Sequence, residues 1–115
     1  MAYDEALAAR FRSAVEGLEG LSEKRMMGGL CFFLNGHMIG GADRAKATGQ
    51  GRFMFRIGKE NDAAGRALPG AEPLVQGGRR MSGFFFVDEE VCDGEVMRAW
   101  LSVAIAHALS LPAKS

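Results

Sequence analysis

The chain has 115 residues, of which 48% are apolar, and its 14 basic residues balance its 14 acidic residues. A chain of this length fits a single domain, residues 1–115, whose core needs neither disulfides nor metal for stability. The zero net charge excludes the generally basic character of nucleic-acid-binding domains, although it leaves a local basic patch open.

The amino-terminal sequence MAYDEALAARF has acidic residues where a secretory signal has a basic end followed by an apolar stretch. No apolar run approaches the ~20 residues that a membrane-spanning helix requires. We therefore predict a cytoplasmic protein that does not contact a membrane.

The two cysteines, Cys31 and Cys92, are not in a CxxC spacing, and no histidine cluster accompanies them. This pattern excludes a structural zinc site, and we predict neither a metal nor a cofactor. A reducing cytosol favours two free, buried thiols, while a disulfide between them stays open at this point.

The first part of the chain predicts a helix followed by a hairpin. Asp4 is a capping residue, and apolar residues recur after it at three- and four-residue steps up to Leu18. From Arg25 the period changes to two, and Asn35-Gly36 is a favoured two-residue hairpin turn. We expect the return strand at residues 37–43 and an exposed loop after it.

The sequence RFMFRIG, residues 52–58, alternates most clearly and predicts a third strand. A short helix is expected within residues 59–68, before Pro69-Gly70. Two more strands are predicted around Gly77-Gly78, with Met81, Gly83, Phe85 and Val87 on one face of the second strand. Asp93 then caps a long helix that ends at Pro112.

This order of elements is α-β(3)-α-β(2)-α. Hairpins dominate the middle of the chain, so an antiparallel sheet with helices gathered on one face is the economical arrangement. The predicted fold class is α+β, in two layers.

The glycine pair Gly28-Gly29 has two interpretations. Its backbone amides, with Lys24 and Arg25 nearby, suggest a phosphate-binding loop. However, neither GxGxxG nor GxxxxGK[ST] is present, and a strand follows where both motifs need a helix. We therefore favour a bend at which another backbone comes close.

A second cluster, GGRRMSG, also combines glycine with arginine. If both clusters meet on one edge, then Arg25, Arg79 and Arg80 form a cationic spot suited to a carboxylate or phosphate. Together with Arg56, Gly28 and Gly29, these residues make up a candidate site for a small anionic ligand or nucleic acid. The alternative is a solvated hairpin end.

Catalytic groups are not arranged as a relay. Cys31, Ser82, His37 and His107 show no spacing typical of a nucleophile with its base, and Glu89-Glu90 lies in a polar loop. We therefore predict no catalytic residues and no enzyme activity.

One face of the sheet carries more apolar residues than a solvated face usually does. Phe33, Met54, Phe84 and Phe86 alternate away from the helix-facing residues. This surplus predicts an interface with a second copy, as a homodimer, or with a partner protein. Alternatively, the long helix or the loop after Ala42 covers this face.

Several separated blocks of the chain resemble the TfoX/Sxy N-terminal domain family. The sequence KRMMGGLCF, followed by Asn35-Gly36, is similar to the "RMFGG" signature of that family, with Met27 where Phe is common. FMFRIG resembles its central strand, GRRMSGFFFVD its late hairpin, and AWLSVAIAHALSLP the closing helix of its single-domain members.

The resemblance implies an α-β(3)-α-β(2)-α fold similar to that of secretion chaperones. It also implies a non-enzymatic interaction or regulatory module, because the family's namesakes regulate competence for DNA uptake in bacteria. The helical domain that follows in those regulators has no counterpart in these 115 residues. Direct binding of nucleic acid is not expected.

Overall fold

A computed structural model of the chain describes residues 4–26 and 28–113. These residues form three helices and six strands, with a 3₁₀ turn before the second helix. In chain order the elements are α1 (Glu5–Ala14), β1 (Leu21–Met26), β2 (Gly29–Leu34), β3 (His37–Arg44), β4 (Gly51–Arg56), the 3₁₀ turn (Lys59–Asn61), α2 (Asp62–Gly65), β5 (Glu72–Gln76), β6 (Arg79–Asp88) and α3 (Gly94–Ser110).

The six strands form one antiparallel sheet in the order β1-β2-β3-β4-β6-β5. Helices α1 and α3 pack against β3 and β4 and against each other. The predicted α+β class is therefore confirmed, as an antiparallel sheet with its long helices on one face.

The strand count differs from the prediction, because four strands rather than three precede α2. Leu21–Met26 form a separate edge strand, β1, which pairs antiparallel with β2. Its central side chains, Ser22 to Arg25, are polar and exposed. They therefore give no apolar alternation from which a strand is recognised.

Aromatic rings fill the core between the helices and the sheet. Phe11 of α1 stacks on Phe32, with ring centroids 4.5 Å apart. Trp100 of α3 lies 5.5 Å from Phe55 and 5.3 Å from Phe85. All five rings are completely buried, so they supply a large part of the apolar area removed from water on folding.

Both long helices begin at the predicted aspartates. Asp4 accepts hydrogen bonds from the amides of Ala6 and Leu7, and Asp93 accepts one from the amide of Val96. Each cap satisfies amides that a helix leaves without an internal partner and is typically worth about 1 kcal/mol.

Strand β6 contains a wide bulge that the alternation did not predict. Pro73 pairs with Phe85 and Val75 with Arg80, so the single residue between them, Leu74, opposes residues 81–84. Three extra residues reverse the alternation, and Met81 lies with Phe84 and Phe86 instead of with Phe85. The predicted face of Met81 was therefore wrong.

Within the described ranges, no helix combines the length and the apolar character needed to cross a membrane.

Candidate binding groove on the open face of the sheet

The face of the sheet opposite α1 and α3, hereafter the open face, carries a second apolar cluster. Cys31, Met54 and Leu74 are buried in it, and five half-buried residues pack around them: Met26, Phe33, Met38, Phe84 and Phe86. All four residues that the sequence placed together on this face, Phe33, Met54, Phe84 and Phe86, are therefore neighbours in one cluster. Their role as an interface stays a prediction.

The open face is concave and encloses a groove of about 350 Å³. Met26 of edge strand β1 and Val75 of edge strand β5 both line it. The residues that line it come from both edge strands and from every strand between them, so the whole width of the sheet contributes to one concave surface.

Two glycines create the space in the middle of the groove. Gly41 lies between Cys31 on β2 and Met54 on β4 in the strand register. A Cβ atom at Gly41 would come within 2.6 Å of the carbonyl oxygen of Leu30. Gly29 is the partner of Met26 in the register and also lines the groove. Because neither residue has a side chain, larger neighbours form the walls of a trough.

The Gly28-Gly29 pair thus has two structural roles. Gly28 has a φ of +77° in the turn that joins β1 to β2, a conformation that glycine adopts most easily. At Gly29 a Cβ atom would lie 2.5 Å from the carbonyl oxygen of Ala42 on β3. The backbone that comes close to this pair is therefore strand β3. The sequence predicted such a close approach at a bend, whereas the structure has a hairpin between β1 and β2.

Methionines line the groove to an unusual degree. Of the five methionines among the described residues, four line the groove, namely Met26, Met38, Met54 and Met81, and only Met97 lies in the helix-side core. Methionine is unbranched and polarisable, so a surface built from it adapts to apolar groups of different shape.

An ion pair between neighbouring strands forms part of the groove wall, with Asp43 on β3 and Arg52 on β4. The Arg52 guanidinium donates to both carboxylate oxygens of Asp43, at 2.8 and 3.2 Å. It also lies 3.6 Å from the centroid of the Phe86 ring. This geometry fixes the guanidinium between a carboxylate and an aromatic face, where it serves as a rigid wall.

Two further cations flank the groove. Lys24 pairs in register with Cys31, and Arg56 pairs with Phe84, which places both on the open face. In residues 4–26 and 28–113, no carboxylate oxygen lies within 4.0 Å of either cation. Glu72, the register partner of Phe86, lies on edge strand β5, at the edge of the sheet opposite Lys24.

The predicted arginine cluster is not assembled on one edge. Arg25 lies on edge strand β1, whereas Arg79 and Arg80 begin β6, and strands β2, β3 and β4 lie between. The antiparallel pairing of β1 with β2 places Arg25 at one side of the sheet, while the Gly77-Gly78 hairpin lies towards the other. Arg80 is moreover engaged, since its Nη2 donates to Asp62 Oδ1 at 2.7 Å.

The two histidines contact groups that their spacing did not reveal. His37 Nε2 is 2.6 Å from the carbonyl oxygen of Pro112. His107 Nδ1 is 3.0 Å from Glu60 Oε1. Both rings are buried and join distant parts of the chain, which is a structural role that sequence spacing cannot display.

Both cysteines are free and buried, on opposite faces of the sheet. Cys31 belongs to the open-face cluster and Cys92 to the helix-side core. The pKa of each thiol is raised from 9.0 to about 11, and burial is the main cause. The raised pKa disfavours the thiolate that nucleophilic attack requires. Among the described residues, no three His, Cys, Asp or Glu side chains are placed to hold a metal ion.

The two coverings considered from sequence do not occupy the groove. The residues that line it all belong to the six strands, and α3 packs on the other face of the sheet. The loop after β3 lies beside β4 and β6, where Gln50 donates to Asp88. The groove is thus bounded by the sheet itself.

Comparison with known proteins gives one result. The family model described as the TfoX N-terminal domain matches residues 13–108. Comparisons with curated proteins and with solved structures found no match. The matched residues run from α1 into the last turns of α3 and include all six strands and the whole groove. Because the match covers most of its length, the chain belongs to the TfoX N-terminal domain family.

Proposed function

We propose that this domain is a non-enzymatic protein-binding module that holds a partner protein in the groove of its open face. The observation that carries the proposal is an apolar, curved groove to which all six strands contribute. The exposed face of an antiparallel sheet is normally polar. Large apolar patches on soluble domains are usually sites of interaction.

The chemistry of the other candidate groups supports binding rather than catalysis. The thiols are buried and their pKa values are raised to about 11, and each histidine contacts a carbonyl or carboxylate oxygen far away in sequence. A regulatory role of the kind implied by the family would then be exerted through the bound partner. No geometric observation favours the anionic-ligand alternative, because its arginines are distributed over three strands, β1, β4 and β6.

A peptide selection tests the proposal. Peptides are selected from a random library on the wild-type domain, and their affinities are measured for a groove variant, Met38→Asp with Met81→Asp. The matched control, Val91→Asp with Leu109→Asp, makes the same chemical change at residues that are 47% and 59% exposed outside the groove. Circular dichroism verifies that both variants fold.

We expect the selected peptides to bind the groove variant at least about tenfold more weakly, because an uncompensated charge in an apolar contact is costly. The control variant should retain wild-type affinity. Peptides that bind both variants equally well would contradict the use of the groove.

A further inference from the structure

We infer that the segment bound by the groove is an amphipathic α-helix with an acidic flank. This inference rests on the proposed protein-binding function and specifies the partner's chemistry. Three properties of the groove support it, namely its shape, its thioether lining and the positions of its unpaired cations.

The shape of the groove requires a convex occupant. Its floor residues Cys31, Met54 and Leu74 are only 4, 8 and 6% exposed and lie among half-buried neighbours, so a convex surface covers them more completely than a flat or concave one. The same face of a second copy is itself concave and would leave the floor uncovered. A helix presents a convex surface about 10–12 Å in diameter with its side chains, and the row of anchors along its apolar stripe can enter a groove of about 350 Å³.

The lining of the groove suits the apolar stripe of a helix. Side chains at positions i, i+3, i+4 and i+7 of a helix form a row of anchors. Met26 and Met81 lie on β1 and β6, on the two sides of the floor residue Met54. Their flexible thioethers can close around Leu, Phe or Met anchors without a fixed shape requirement.

The charges around the groove indicate which charged residues the bound helix carries beside its apolar stripe. Lys24 and Arg56 border the open face without a carboxylate partner among the described residues. Acidic residues beside the apolar stripe would complement these cations, whereas lysines there would be repelled. Glu72 on edge strand β5 lies opposite Lys24 on edge strand β1, and Arg56 on β4 lies between them, so the acidic flank of the helix faces β1 and a basic residue is favoured on the flank towards β5.

Methionine-methyl NMR with designed peptides tests the inference. The domain is labelled with ¹³C at its methionine methyl groups and titrated with an 18-residue helical peptide that has Leu and Met anchors and glutamates on one flank. Two copies of this peptide serve as comparisons. In one copy lysine replaces glutamate, and in the other two prolines interrupt the helix.

We expect the acidic peptide to shift the methyl signals of Met26, Met38, Met54 and Met81 and to leave that of core residue Met97 in place. Its affinity should exceed that of the lysine copy at least about tenfold, and the proline copy should not bind. The double variant Lys24→Glu with Arg56→Glu should reverse the charge preference. Arg98→Glu on α3 is the matched control and should not reverse it.

Several outcomes would overturn the inference. One is that the methyl signals of the groove methionines do not shift at about 1 mM acidic peptide. Another is that the glutamate and lysine peptides bind with equal affinity, and a third is that the proline copy binds as tightly as the acidic peptide. Groove signals that change with protein concentration alone would identify a second copy as the occupant. If library peptides depend on the groove but bind it in extended form, the helix inference fails while the proposed function stands. If no library peptide depends on the groove, both fail.

Discussion

Asp62 of α2 holds strand β6 and the end of its own helix through one carboxylate. Its Oδ1 accepts hydrogen bonds from Arg80 Nη2 and from the amide of Gly83, both at 2.7 Å, and its Oδ2 accepts from Arg66 Nε at 3.3 Å. The Gly83 amide is the largest cause that lowers the pKa of Asp62 below its usual value of 3.8. The carboxylate thereby fixes the β6 bulge against α2.

Asp62→Asn should lower the free energy of unfolding at pH 7 by about 1–3 kcal/mol, since it weakens hydrogen bonds to a charged group. Because the pKa of Asp62 is lowered in the folded chain, its stabilisation is present above pH 3.8 and is lost as the pH falls through the folded-state value. Urea denaturation at pH 7 and pH 3 should show the deficit shrinking in acid. Exposed Glu16→Gln is the control, and a deficit that is unchanged at pH 3 would contradict the assignment.

The thiols of Cys31 and Cys92 should react slowly in the folded protein. At pH 8 we expect labelling by a disulfide reagent to be roughly 100-fold slower than in urea, because attack requires exposure and ionisation. The raised pKa values imply that stability falls as the pH rises from 9.0 towards 11, where only the unfolded chain ionises. Rapid labelling of the native protein would contradict the buried positions.

The sequence predicted the local roles of single residues but not their long-range contacts. The caps Asp4 and Asp93 were recognisable because capping depends on a local pattern. The tie between Asp62 and Arg80 was not, because it spans the bulge and brings together residues 18 positions apart. The same holds for the contact of His37 with Pro112, which joins residues 75 positions apart.

At the scale of elements, the β1–β2 hairpin shows how two adjacent glycines meet different requirements. Gly28 has a positive φ and nothing within 4 Å of an added Cβ, whereas Gly29 faces the carbonyl oxygen of Ala42. One glycine therefore provides backbone freedom and the other provides space. Substitutions at the two positions should consequently have different costs.

Gly28→Ala should reduce stability by about 1–2 kcal/mol, the usual cost of a left-handed conformation, and Gly28→Asn by less. Gly29→Ala should cost about 3 kcal/mol, because a Cβ atom there overlaps a backbone atom that cannot move freely. Thermal unfolding of the three variants measures the order. An equal cost for both alanine variants would show that space at Gly29 is not limiting.

The elements also show where pattern analysis reaches its limit. Apolar alternation located β2, β4 and the two long helices, because each packs one face against the core. It missed β1, whose side chains are polar, and it misplaced Met81, because a bulge changes the alternation without a clear local signal. The open-face residues were identified through their alternation, whereas the curvature that makes their face a groove arises only when six strands pair.

At the scale of the whole molecule, both sheet edges oppose pairing with another sheet. Edge strand β1 carries Glu23, Lys24 and Arg25, and edge strand β5 carries Pro73. Charges and proline on edge strands hinder the addition of a further strand. Because the apolar face between these edges is also concave, the shape of the domain disfavours self-association through the sheet.

We therefore expect a monomer of 12.3 kDa by light scattering, independent of concentration between about 1 and 100 µM. Phe33→Asp with Phe84→Asp should leave this mass unchanged while it abolishes the binding of groove-dependent peptides. A dimer that dissociates in this variant would instead show that the open face pairs with a second copy.

The single tryptophan of the chain offers a direct optical view of this architecture. Trp100 is fully buried between Phe55 and Phe85, and its indole N–H donates to the carbonyl oxygen of Pro69 at 2.9 Å. The sheet separates it from the groove. Its fluorescence should therefore shift to longer wavelength when the core opens and stay constant when the groove is filled, so that one emission spectrum distinguishes unfolding from binding.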